Sequence, residues 1–135
     1  MSAESDYISS ESKNILHTAE LIEEILEKTN LTKYEVIALG KLLQDIYMGL
    51  ECILRTLLEN KGIVTKKTKS WHRELLLAAK EQSLVSQAEF EILRDLLLFR
   101  LMEIHDYGFM LDEKCLHKLA QPIPALCRDF LVFLK

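Results

Sequence analysis

Between Val36 and Leu57 the chain spaces its apolar residues as only an α-helix can use them. Val36, Leu39, Leu43, Ile46, Leu50, Ile53 and Leu57 recur at intervals of three and four residues, which aligns them on one helical face over about six turns. A strand would divide the same residues between its two faces. Ile37, Leu42, Leu54 and Leu58 broaden the stripe, so this helix is expected to pack against more than one neighbour. Thr32 with Glu35 three residues on forms a capping box that opens it, and Gly62 is placed to end it. A helix this long and this widely apolar requires other helices to cover it.

The remainder of the chain supplies them. A first helix is expected from about Ser9 or Ser10 to Lys28, with Ile15, Ala19, Ile22 and Leu26 inward and Glu20, Glu23, Glu24 and Glu27 on the opposite face. A short helix follows from Ser70 through Lys80. Ser86 and Glu89 make a second capping box for a long helix from about Gln87 to Tyr107, stopped by Gly108. Asp112 caps a short helix through Ala120, and Pro122 and Pro124 precede a last one ending near Leu134. Five or six antiparallel helices with short connections give an all-α, up-and-down bundle. Residues 1–135 read as a single domain.

Composition agrees with that class and excludes others. The 135 residues include 49% hydrophobic side chains but four glycines and two prolines, too little punctuation for a many-turned β fold. A net charge of −4 argues against indiscriminate coating of nucleic acid, although a local basic patch is compatible with it. Cys52, Cys115 and Cys127 form no C-x-x-C pair and are expected as thiols in a reducing cytoplasm. The first residues, with Glu4 and Asp6, resemble no signal peptide. The longest apolar run, Leu96 to Met102, is interrupted by Arg100 and is too short to span a bilayer. No membrane association is expected.

Residues 60–73 reverse the sign of the chain locally. They contain no acid but hold Lys61, Lys66, Lys67, Lys69 and Arg73. A solvated linker is the simpler reading. Lys66, Lys67, Lys69 and Arg73 are also the weak candidates for contact with RNA phosphates. Next to them, Trp71 and His72 suit either base stacking or, for Trp71, anchoring of the linker. No Gly-rich phosphate loop is present. His105, Cys115 and His117 are too irregularly separated to read as a zinc site, so neither a metal nor another cofactor is expected.

The long helix carries the chemistry. Phe90, Leu93, Leu97, Arg100, Ile104 and Tyr107 fall at three-four spacing, which puts the Arg100 charge on an apolar seam. From Leu96 to Met102 every other residue is apolar, so cover nearly all round is expected, from the fold or from a partner chain. A guanidinium there costs several kcal/mol unless paired or wetted. A core ion pair, with Glu103 or a carboxylate of the second helix, is one use for it. His105 supplies another. It lies five residues on, about 140° round an ideal helix, so the two side chains are able to flank a groove. An imidazole moves protons near neutrality and a guanidinium grips phosphate oxygens. RNA cleavage without metal needs those two tools, one for the 2′-hydroxyl proton and one for the phosphorane charge.

The run Phe99-Arg100-Leu101-Met102-Glu103-Ile104-His105-Asp106-Tyr107 resembles the R-x-x-x-x-H-x-Y signature of the HepT-like HEPN proteins. Ser70-Trp71-His72 is similar to that family's S-W-H element, and Gly108-Phe109 and Leu111-Asp112 to its stretch after the motif. The likeness covers roughly Lys33 to Ala120. It implies a HEPN helical bundle that forms a homodimer, with two copies of the motif in one interfacial cleft. It implies metal-independent endoribonuclease activity of a toxin, with Arg100 and His105 in the two catalytic positions. It further implies a minimal nucleotidyltransferase antitoxin that silences the toxin by transferring AMP to the motif tyrosine, here Tyr107. A bulky anion at that point would block the cleft and repel RNA phosphates. Leu101 departs from the pattern, because the residue after the motif arginine is usually polar. That departure keeps open a non-catalytic, degenerate HEPN module that dimerises or binds the nucleotidyltransferase.

Overall fold

The computed structural model describes residues 3–65, 68–105 and 113–133, and among them every regular element is helical. In chain order these are α1 (Ala3–Leu26), α2 (Lys33–Asn60), α3 (Trp71–Glu81), α4 (Gln87–His105), α5 (Glu113–Ala120) and α6 (Ile123–Phe133). The expected all-α bundle is present. Helix α2 is its axis, packing against α1, α3, α4 and α5, while α6 lies against α1 and α5. Its stripe explains that role. Leu39, Leu43, Ile46, Leu50 and Ile53 are buried on one side, and Leu54 and Leu58 carry the apolar surface round to further neighbours. Ile37 departs from this pattern, standing 50% exposed one turn from the start of the helix. Among the described residues no helix is long and apolar enough to cross a membrane.

Local chemistry sets the helix ends. The Thr32 hydroxyl accepts from the Glu35 amide at 3.2 Å, and the Glu35 carboxylate accepts from the Thr32 amide at 2.9 Å. Ser86 and Glu89 repeat the exchange at 3.1 and 2.8 Å. Each box satisfies amides that the first helical turn leaves without partners. At the other end of α2, Gly62 adopts φ +80°. Its amide donates to the Glu59 carbonyl and the Ile63 amide to the Leu58 carbonyl, both at 2.9 Å, which is the Schellman arrangement. Helix α3 ends the same way, with Ser83 and Leu84 donating to Lys80 and Ala79. There the left-handed position is filled by Ser83, at φ 58°.

Helix α1 begins at Ala3, well before the expected Ser9 or Ser10. Tertiary contact overrides the cap-like serines: Tyr7 lines a surface groove together with Cys52 of α2, and Ser12 donates its hydroxyl back to the Ile8 carbonyl at 2.7 Å. Farther along, α1 crosses α2 so closely that a Cβ on Gly49 would lie 2.9 Å from Ile15 Cγ1. Arg128 of α6 pairs with Glu23 of α1 at 2.5 Å on the surface, where such a pair contributes about 0–1 kcal/mol. Pro124, expected to precede α6, lies inside its first turn, where a missing amide hydrogen costs nothing.

Two substitutions test these features by thermal denaturation. Ser83→Gly should stabilise the fold by about 1 kcal/mol, since a left-handed conformation strains any residue with a Cβ. Gly49→Ala should destabilise it by about 1–3 kcal/mol through overpacking against Ile15.

Candidate functional site

Tyr47 and Glu51 lie one turn apart on the buried side of α2. Glu51 is 7% exposed and is the one charged residue among the described residues that the core buries. A carboxylate removed from water needs replacement donors, and two are present. The Tyr47 hydroxyl donates to Glu51 Oε2 at 2.6 Å, and His72 Nδ1 of α3 meets the same oxygen at 2.6 Å. Burial, reinforced by the bond to Glu51, holds the Tyr47 phenol well above its usual pKa. It therefore stays a hydrogen-bond donor wherever the fold persists. His72 in turn stacks on Trp71, ring centroids 3.7 Å apart, and the Arg55 guanidinium lies 5.9 Å from the Trp71 ring centroid.

Arg100 joins this cluster from α4. Its guanidinium lies 5.9 Å from the centroid of the Tyr47 ring, within the range of a cation–π attraction. The second helix does contribute a buried carboxylate, Glu51, but that group meets Tyr47 and His72. Arg100 meets the π face of Tyr47 instead. It is half-buried, with Leu96 and Leu97 buried just before it. The fold alone does not supply cover all round: Leu98 is 45% and Leu101 39% exposed within this chain. The residue after the motif arginine thus faces outward.

The other candidates fall in different places. His105 is the last described residue of α4, five beyond Arg100, and its side chain lies outside the described residues. Tyr107, Gly108 and Asp112 also lie outside them, as do Lys66 and Lys67. Lys69 and Arg73 are exposed beside Trp71 and His72. Trp71 is half-buried and packs against the core, as an anchor would. Its neighbour His72 is held by Glu51, which was not foreseen. None of the three cysteines is in a disulfide, and burial pushes the Cys127 thiol up to about 12. Among the described residues no group of His, Cys, Asp or Glu side chains converges as a metal site.

Tyr47 and Glu51 escaped sequence reasoning, although a signal existed. Leu43, Tyr47, Glu51, Leu54 and Leu58 form a second three-four series beside the main stripe. An acid in that series has to be buried or to bend the helix away from its neighbours.

A family model described as HepT-like protein matches residues 38–132. No curated protein and no solved structure matches the chain.

The cluster predicts an energetic coupling between its members. Tyr47→Phe should cost about 1–3 kcal/mol, because Glu51 loses a donor in a buried setting. In a Glu51→Leu background the same change should cost far less. Chemical denaturation of the two single variants and the double variant reads the difference directly.

Proposed function

The chain belongs to the HepT-like family, and from that premise we propose that it is a metal-independent endoribonuclease toxin whose active cleft forms between two copies of the chain. The observation that carries the reading is the half-buried Arg100 guanidinium set against the Tyr47 ring, on the helix that also carries His105. A cation held this way on an apolar helix has little value to the core, where a leucine would pack more cheaply. It has value to a phosphate.

In the proposed reaction the RNA 2′-oxygen attacks the adjacent phosphorus and the bond to the 5′-oxygen breaks. A 2′,3′-cyclic phosphate and a free 5′-hydroxyl result. His105 takes the 2′-hydroxyl proton or delivers one to the leaving oxygen. Arg100 neutralises the charge that builds on the non-bridging oxygens. The exposed Leu98 and Leu101 of α4 give a second copy an apolar surface to cover beside the motif. A nucleotidyltransferase antitoxin is the proposed regulator, acting by transfer of AMP to Tyr107. A cytoplasmic setting follows from this assignment.

The second reading, a non-catalytic HEPN interaction module, is favoured by Leu101, which places an exposed apolar side chain where the family usually has a polar one. Purified protein incubated with RNA in EDTA separates the two. Cleavage with cyclic-phosphate ends should appear, and Arg100→Ala and His105→Ala should each reduce it by about 100-fold or more at unchanged helical content. Full activity in both variants would remove these residues from the chemistry. No cleavage of any RNA by the native chain would favour the module. Intact mass after co-expression with the nucleotidyltransferase should increase by one or more AMP units, mapping to Tyr107.

A further inference from the structure

The Glu51 carboxylate has a second client besides Tyr47, the imidazole of His72. We propose that His72 is a further RNA-contacting residue, its ring fixed by Glu51 so that Nε2 meets the strand. The inference rests on the endoribonuclease reading and extends its site from α4 to the start of α3.

Three observations carry it. First, the ring is oriented. With the carboxylate accepting both bonds at 2.6 Å, the His72 Nδ1 hydrogen is the donor, which leaves Nε2 without a hydrogen bond among the described residues. Second, the ring is partly accessible. Its Nδ1 edge faces a buried acid and Trp71 stacks on it, yet the side chain retains 21% exposure. In the proposed contact RNA meets the opposite face and the Nε2 edge. Third, the surroundings suit a polyanion. Arg55 lies over Trp71, and Lys69 and Arg73, which flank the aromatic pair in sequence, are both exposed. Glu74, the acid closest in sequence, is engaged with Ser70 at 3.4 Å. An aromatic pair flanked by cations is the common composition of single-strand contacts. The same carboxylate oxygen also holds the hydroxyl of Tyr47, whose ring faces Arg100. One string of contacts thus has the guanidinium at one end and the imidazole at the other.

The competing account is that His72 does nothing but satisfy Glu51. His72→Asn separates the two, because an asparagine amide can replace the Nδ1–H donor but has no counterpart of Nε2. The probe is a fluorescent single-stranded 2′-O-methyl RNA, which binds but cannot be cleaved, titrated into the full-length protein by anisotropy. The Asn variant should keep the native melting temperature and weaken binding about tenfold. Native affinity in His72→Asn, with Arg100→Ala weakened, would overturn the role of His72 and leave the endoribonuclease reading standing. Failure of the native protein both to bind this RNA and to cleave natural RNA would remove that reading, and this one with it. Should the Asn variant not fold, the imidazole resonances of His72 in the native protein provide the measurement. They should shift as RNA is added, and unmoved resonances at saturation would overturn the proposal.

Discussion

Burying a carboxylate in the middle of an apolar helix costs several kcal/mol unless hydrogen bonds replace its water. At Glu51 two donors do so, and they come from different places: Tyr47 from the same helix, His72 from the next. The requirement fixes geometry. Helix α3 must present its first turn to α2, and the Tyr47 ring must lie with its hydroxyl toward Glu51 and a face available to Arg100. Much of the arrangement of α2, α3 and α4 thus follows from one acid that had to be satisfied. The described residues contain no buried side-chain polar atom without a partner.

The fold was largely legible in the sequence because its signals are local and periodic. The stripe of α2 and both capping boxes depend on residues within four positions of each other. The start of α1 was not legible, since the groove that Tyr7 shares with Cys52 joins residues that only the fold brings together. Ile37 was misjudged for a related reason. It lies one position outside the buried arc, while Val36 and Leu39 beside it pack against the core.

The candidate site was legible to a lesser extent. Arg100 stood out as a charge in an apolar run, a contradiction visible along the chain itself. Its partner did not, because tyrosine in a helical stripe looks like ordinary core. His72 lies 21 residues from Glu51, across a change of helix, and nothing in either local sequence points to the other. Polar networks are harder to foresee than apolar stripes for a simple reason. Hydrophobic burial is non-directional and additive, whereas a hydrogen bond requires two specific atoms within a few tenths of an ångström.

The Schellman turn at Gly62 and the contact of His72 with Glu51 have a joint effect on the basic stretch between them. The end of one helix and the beginning of the next are each anchored by groups outside that stretch. Ile63 and Trp71, which pack against the core, hold its two ends, so the length between them is less constrained than their identity. Closing a longer loop adds only about 0.6 kcal/mol for each doubling, so insertions there would be borne lightly. Relatives should drift fastest in this segment, and any positive character that survives such drift would have to be maintained by something other than folding.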